Sequence, residues 1–369
     1  MNRTRWRLGF MAILLGLAMG LPAVVQAAAP ISRAVAKKAG FERLWELPVG
    51  IGARTGDSVA NLWQLGNNLM VLTRHGYMVC IRSGSGTIRW TIKLPATADS
   101  ISQPKPFAKD QFMLLVSGHM LIIDSRNGSI IHNKSLHLAP GTNPIMKSNT
   151  ILIGSLHDRM YALSTNWPPR QLWYQLDRGD SFVTDPVLVD DSVIFGSRSG
   201  IIFSRSLSDG TGGWKRHVGG HLLANPAVAH GVVYFPCMDS NVYAINAETG
   251  VSPWITRLPG ELEFSPVVLK NHLLVPTGGV GLFSLSMKTG LKQWGPIPNG
   301  FRIVGRKGGE IFVATTNGTI AVANVMTGHV LKTMPYDQAS VFLRNSKTSF
   351  IFLASVSGEV EELKPLRRQ

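Results

Sequence analysis

Short apolar runs separated by turns rich in glycine, asparagine and aspartate recur along most of this chain. The stretch Ser240–Leu258 shows the unit most clearly. Val242, Tyr243, Ala244 and Ile245 form one run, Asn246 to Gly250 a turn, and Val251 to Leu258 a second run with Trp254 four residues after the glycine. β-Branched and aromatic residues suit a pleated, buried surface, and a glycine closing a turn adopts positive φ at little cost. The stretch is therefore predicted to be a β-hairpin.

The hairpin repeats. Trp90, Trp173, Trp214, Trp254 and Trp294 occupy equivalent places, and His132 and Lys332 stand where two copies lose the tryptophan. Gly86, Gly210, Gly250 and Gly290 precede the tryptophans by four residues, whereas the copy with Trp173 has Trp167-Pro168-Pro169 in place of a glycine turn. A strand-rich unit recurring about every 40 residues marks a propeller or solenoid. Each unit divides into four strands. In the copy ending at Trp254 these are Leu223–Ala229, Val232–Pro236, Val242–Ile245 and Val251–Leu258; in the copy ending at Trp214 they are Phe182–Val189, Val193–Gly196, Ile201–Ser206 and Gly213–Val218. After Lys332 only three strands remain, Val341–Arg344, Phe350–Ala354 and Glu359–Leu363. The missing strand is Phe41–Leu47, which contains Trp45. The prediction is an all-β, eight-bladed β-propeller of four-stranded blades, closed by the N-terminal strand completing the last blade, which leaves no open sheet end.

The pattern Val242-Tyr243-Ala244-Ile245, Thr249-Gly250 and Trp254 resembles the repeat of the PQQ-like (pyrroloquinoline-quinone) propeller family. Met160-Tyr161-Ala162-Leu163 with Trp173 is a second copy, and Asp185-Pro186-Val187, Asn225-Pro226-Ala227 and Ser265-Pro266-Val267 match the family's first strand. The resemblance implies the fold over residues 41–364; activity is a separate matter. In size, blade number and export the chain is similar to the BamB family of outer-membrane β-barrel assembly lipoproteins, which implies a non-catalytic scaffold for protein partners in the cell envelope. It lacks that family's lipid-bearing cysteine. The quinoprotein dehydrogenase branch implies the alternative, a quinone-dependent oxidoreductase. Its adjacent-cysteine pair and Cys-x-x-Cys-His haem motif are missing here, so no cofactor is expected.

The N-terminus changes the setting. Arg3, Arg5 and Arg7 precede the uncharged apolar run Leu8–Val25, and Val25-Gln26-Ala27 offers small residues for cleavage after Ala27. Residues 1–27 read as a signal peptide, 28–40 as a linker or short helix, 41–364 as the propeller and 365–369 as a basic tail. The alternative is an uncleaved anchor. Either way the expected place is the periplasm or another extracytoplasmic compartment, which excludes nucleic acid as a partner. The formal net charge of +15 adds anionic envelope components, such as phospholipid headgroups or acidic glycans, as partners. The chain is expected to be a monomer.

Candidate chemistry is sparse. Cys80 and Cys237 fall in blades one and five, too far apart for a disulfide, and read as packing residues. The tryptophans, Trp45 included, recur once per blade and read as structural wedges. His217 and His221 have a helical metal-pair spacing, but the intervening Val218-Gly219-Gly220 and a preceding strand exclude that helix. Asn143, Asp185, Asn225 and Ser265 precede prolines in the innermost strands and form a polar ring for water or a small ligand. Loops on one face carry Arg74, His75, His119, His157, Arg159, Arg198, His217 and His221, a His/Arg-rich candidate docking face; the opposite face, with Asp190-Asp191 and Lys270-Asn271, is of mixed sign. Specific activity is expected where the repeats differ: in these loops, and at His132 and Lys332.

Overall fold

The computed structural model describes residues 31–49, 57–177, 180–336, 341–343, 345, 348–355 and 358–366. The signal-peptide reading of residues 1–27 and the tail residues 367–369 lie outside these. The described strands form eight four-stranded sheets, and in seven of them four consecutive strands run in chain order. Blades 1 to 7 begin at Val59, Lys105, Ile145, Val187, Ala227, Val267 and Gly300, and the strands of each are lettered A to D in chain order. Blade 8 joins the chain ends. Phe41–Pro48 pairs antiparallel with Glu359–Pro365, in register from Phe41↔Pro365 to Pro48↔Glu359 with a bulge between Arg43 and Trp45. The eight blades and their N-terminal closure are as the repeat predicts.

Strands B and C lie between neighbouring blades and are apolar on both faces. Gln111–Val116 and His272–Thr277 are buried nearly throughout, so they read as continuous rather than alternating runs. Strand D is the outer edge. In Thr87–Lys93 only Trp90 is buried. Small residues face the tryptophans across the ladder, as in Ala162↔Trp173, Ala244↔Trp254, Ser284↔Trp294 and Cys80↔Trp90, which leaves room for the indole on that face.

The tryptophan–glycine spacing has a physical cause. Each indole lies on the turn glycine of the next blade. A Cβ on Gly128, Gly210, Gly250, Gly290 or Gly328 would sit 2.5–2.8 Å from the ring of Trp90, Trp173, Trp214, Trp254 or Trp294 respectively. The indole N–H of each donates to the carbonyl three residues before that glycine: Trp90 to Ser125, Trp173 to Leu207, Trp214 to Ala247, Trp254 to Met287 and Trp294 to Val325, at 2.9–3.0 Å. The joint thus buries an aromatic ring, satisfies its one donor and exploits a positive-φ glycine. Trp45 lies on Gly86 in the same way, but its N–H goes to the Glu362 carboxylate, which also accepts from the Gly84 N–H of blade 1.

Two joints depart from the rule, at the positions the sequence marks. His132 stacks on Trp167 of blade 3, ring centroids 4.7 Å apart and 14° from parallel, so the aromatic has moved to the other side of the joint. Lys332 faces Gly40, and the rings at this joint are Phe41 of blade 8 and Phe312 of blade 7, packed edge to face with centroids 5.0 Å apart.

Strand A is shorter than the sequence suggests. The predicted Leu223–Ala229 narrows to Ala227–Ala229, and Phe182–Val189 to Val187–Val189. The residues ahead of Pro186 and Pro226 bond sideways to the next blade instead of to their own strand B. The outer strands contract similarly: Val251–Leu258 becomes Trp254–Arg257, after Pro253, which has no N–H to offer a ladder.

Candidate docking face

Hairpin topology puts the B–C loops and the D–A crossovers of all blades on one face. Gln103, Asn143, Asp185, Asn225 and Ser265 lead into the innermost strands there and form a belt. The backbone N–H of Gln103 donates to Asn143 Oδ1 at 2.7 Å, Asn143 N–H to Asp185 Oδ1 at 2.7 Å, Asp185 N–H to Asn225 Oδ1 at 2.8 Å and Asn225 N–H to Ser265 Oγ at 3.0 Å. The amides of Asn143 and Asn225 also donate to Asp185 Oδ2, at 3.0 and 2.8 Å. Burial raises the Asp185 pKa; its hydrogen bonds and the Lys105 ammonium oppose that rise without cancelling it. The predicted polar ring is therefore a structural tie between blades 2 and 6, with its acceptors engaged.

Above the belt a cavity of about 680 Å³ opens, bordered by Asn143, Asp185, Asn225, His137, Leu156 and His157. Beside it lies a shallower depression of about 640 Å³ across blades 3 to 5. This depression brings together three of the eight predicted docking residues, His157, Arg198 and His221, all exposed. The His221 ring nitrogen Nδ1 contacts the Arg198 carbonyl at 3.0 Å. Leu156, 52% exposed, adds apolar surface, as does Leu223, 41% exposed, in the crossover after His221.

The other five residues stand apart. Arg74 and His75 belong to blade 1, where His75 pairs with Asp57 at 2.8 Å. Burial alone would raise the Asp57 pKa, but hydrogen bonds from Thr73 and His75 and the His75 charge hold it low. His119 in blade 2 bonds Asn133 at 2.8 Å. Arg159 lies over the Tyr174 ring, 5.0 Å from its centre, on the outer strand side of blade 3. His217 ends the outer strand of blade 4.

Nor is the face lopsidedly basic. Asp158 and Asp180 share the depression with His157, Arg198 and His221. Burial of Asp180 is outweighed by hydrogen bonds from Ser199 and Ser181, which keep it below the ordinary carboxylate range. These acids sit in the same B–C and D–A connections as the cations, and their adjacency to His157 and Ser181 in the sequence was the available signal.

The remaining candidates are structural in their geometry. Cys80 and Cys237 are free and buried, and burial pushes their thiols up to about 11 and about 12. Among the described residues no three His, Cys, Asp or Glu side chains group as metal ligands, and no helix is long and apolar enough to cross a membrane.

Residues 207–300, from the end of blade 4 to the first residue of blade 7, match the family model described as outer membrane protein assembly factor BamB. The matched stretch includes His217, His221 and Leu223 but not His157 or Arg198. Among solved structures, BamB from Moraxella catarrhalis superposes with a TM-score of 0.70 at 15% identity, covering 89% of this chain and 99% of that one. Sqt1 from Saccharomyces cerevisiae gives 0.68 at 10% identity, covering 85% and 96%. The computationally designed protein Ika8 gives 0.65 at 12% identity, covering 83% and 96%. At these identities the superpositions establish the propeller fold. No curated protein matches the sequence.

Proposed function

We propose that this chain is an exported, non-catalytic propeller that docks protein partners during outer-membrane protein assembly, through the face bearing His157, Arg198, His221, Leu156 and Leu223. The observation that carries the reading is the match of residues 207–300 to the assembly-factor family. The geometry supports it in a second way: exposed leucines beside mobile-length cationic and acidic side chains make a surface with both apolar contact and charge registration.

A photocrosslinking residue placed at position 198 or 221 in cells is expected to capture an outer-membrane assembly component, whereas one at Val251, in a C–D turn of the opposite face, is not. Capture from Val251 alone, or of no assembly component from either docking position, overturns the reading. A second measurement addresses catalysis. Adding pyrroloquinoline quinone and Ca²⁺ to the purified protein is expected to leave the quinone absorbance unchanged. A saturable spectral shift would instead support the oxidoreductase reading.

A further inference from the structure

The seam between blades 7 and 8 is the joint where Lys332 stands in the place of the tryptophan. A cleft of about 1030 Å³ opens there, bordered by Lys37, Lys307, Lys332, Glu310, Leu331 and Leu366. Its lysines come from three separate elements: the short helix Arg33–Lys38, the end of strand A and the outer strand D of blade 7. The sequence scatters these cations over almost 300 positions, and the fold gathers them.

The cleft is cationic and open at the backbone. Lys307 Nζ donates to the Leu366 carbonyl at 2.7 Å, which fixes its position at the rim. The side-chain ammonium groups of Lys37 and Lys332 make no hydrogen bond or ion pair with a described residue. Glu310 is the one acid among the described lining residues, and it is already engaged. A Cβ on Gly308 or Gly309 in the adjoining turn would meet nothing within 4 Å, so a ligand can approach the main chain closely. Apolar surface flanks the lysines: Leu331 is 43% and Leu366 38% exposed.

This combination suits an anion that carries an apolar body. Two uncommitted ammonium groups and a third at the rim match the charge and the several acceptor oxygens of a phosphate. Exposed Leu331 and Leu366 match an acyl or glycerol portion at a lipid surface. The segment that carries Lys37 is tied to blade 8, where the Ile31 N–H donates to Glu361 Oε1 at 3.0 Å. We propose that the seam cleft binds the phosphate headgroup of an anionic lipid, on the side of the molecule opposite the docking face. The proposal is independent of the partner assigned to that face.

The test uses the full chain and the double variant Lys37→Ser/Lys332→Ser. Both lysines are exposed, so the fold should survive, and an unchanged melting curve checks this. Co-sedimentation is measured with phosphatidylglycerol/phosphatidylethanolamine vesicles, with phosphatidylcholine vesicles, and in parallel by calorimetry with glycerol 3-phosphate. Salt-sensitive binding to the anionic vesicles, weakened about tenfold or more by the double variant, is the expected result. Variant-sensitive binding of glycerol 3-phosphate without vesicle binding would assign the same phosphate chemistry to a free metabolite and overturn the lipid. Equal binding by the double variant, equal binding to phosphatidylcholine, or binding to no probe overturns the site. A second variant, Lys332→Trp, restores the repeat residue and is expected to fill the cleft and abolish phosphate binding while the fold persists.

Discussion

Gly290→Ala is expected to lower the stability of this propeller by about 3 kcal/mol, and Gly212→Ala by about 1 kcal/mol. Both glycines have positive φ, +72° and +63°, so each alanine pays the left-handed backbone penalty of about 1 kcal/mol. Only Gly290 lies beneath an indole. A Cβ there would sit 2.6 Å from the Trp254 ring and from the Thr256 hydroxyl, while one on Gly212 meets nothing within 4 Å. Overpacking a rigid joint adds about 2 kcal/mol. The Trp254 N–H bond to Met287 prevents the ring from tilting away without leaving a buried donor unpaired. Denaturation midpoints of the two variants measure the difference. Equal losses would show that the repeat glycine is kept for its backbone conformation alone.

Glu361→Gln is expected to stabilise the protein at pH 8 and to leave it nearly unchanged at pH 5. Glu361 sits in Glu359–Pro365, the strand against which the closing N-terminal strand pairs, and is 1% exposed. Its Oε1 accepts the Ile31 N–H at 3.0 Å, but Oε2 has no hydrogen-bond partner, and Arg43 approaches only to 4.0 Å while holding Glu46 at 2.8 Å. Burial pushes the Glu361 pKa up to about 7; the Ile31 N–H and Arg43 draw it down, and Glu46 and Glu359 push it further up. The sign follows from linkage. Between the ordinary glutamate value of 4.5 and about 7, the folded state binds more protons than the unfolded one, so the stability present in full below that window is lost as pH rises through it. Glutamine removes the charge and keeps the acceptor for Ile31. A melting temperature higher than wild type by about 2 °C or more at pH 8, with the gap closing at pH 5, is the expected pattern. A gap independent of pH would sink the titration account. Glu362, also raised by burial, keeps some slope of the same sign in both proteins.

The docking residues show where reading the sequence reached its limit. Strand spacing placed all eight on the loop face, because hairpin alternation is a local rule. It did not decide that His157, Arg198 and His221 converge while His119 and His217 stand apart, nor that Asp158 and Asp180 share their depression. Convergence depends on the conformations of separate loops and crossovers in blades 3 to 5, which no strand period relates. The polar ring was legible as a set of residues before prolines, but not as a chain of bonds in which each side chain serves the backbone of the preceding blade.

The period alone determined the eight blades, the strand that closes them and the tryptophan–glycine pattern, since each of these is written within one 40-residue unit or in the count of units. Only the tertiary structure decided what the departures from the pattern mean. His132 is compensated by Trp167 from the next blade, while Lys332 meets Gly40 and leaves a cleft that Lys37 and Lys307 line. Trp45 finds its acceptor on Glu362, 317 positions along the chain. Such joints are made between blades and between the two chain ends. Their energetics come from burial and charge among residues that no local periodicity relates.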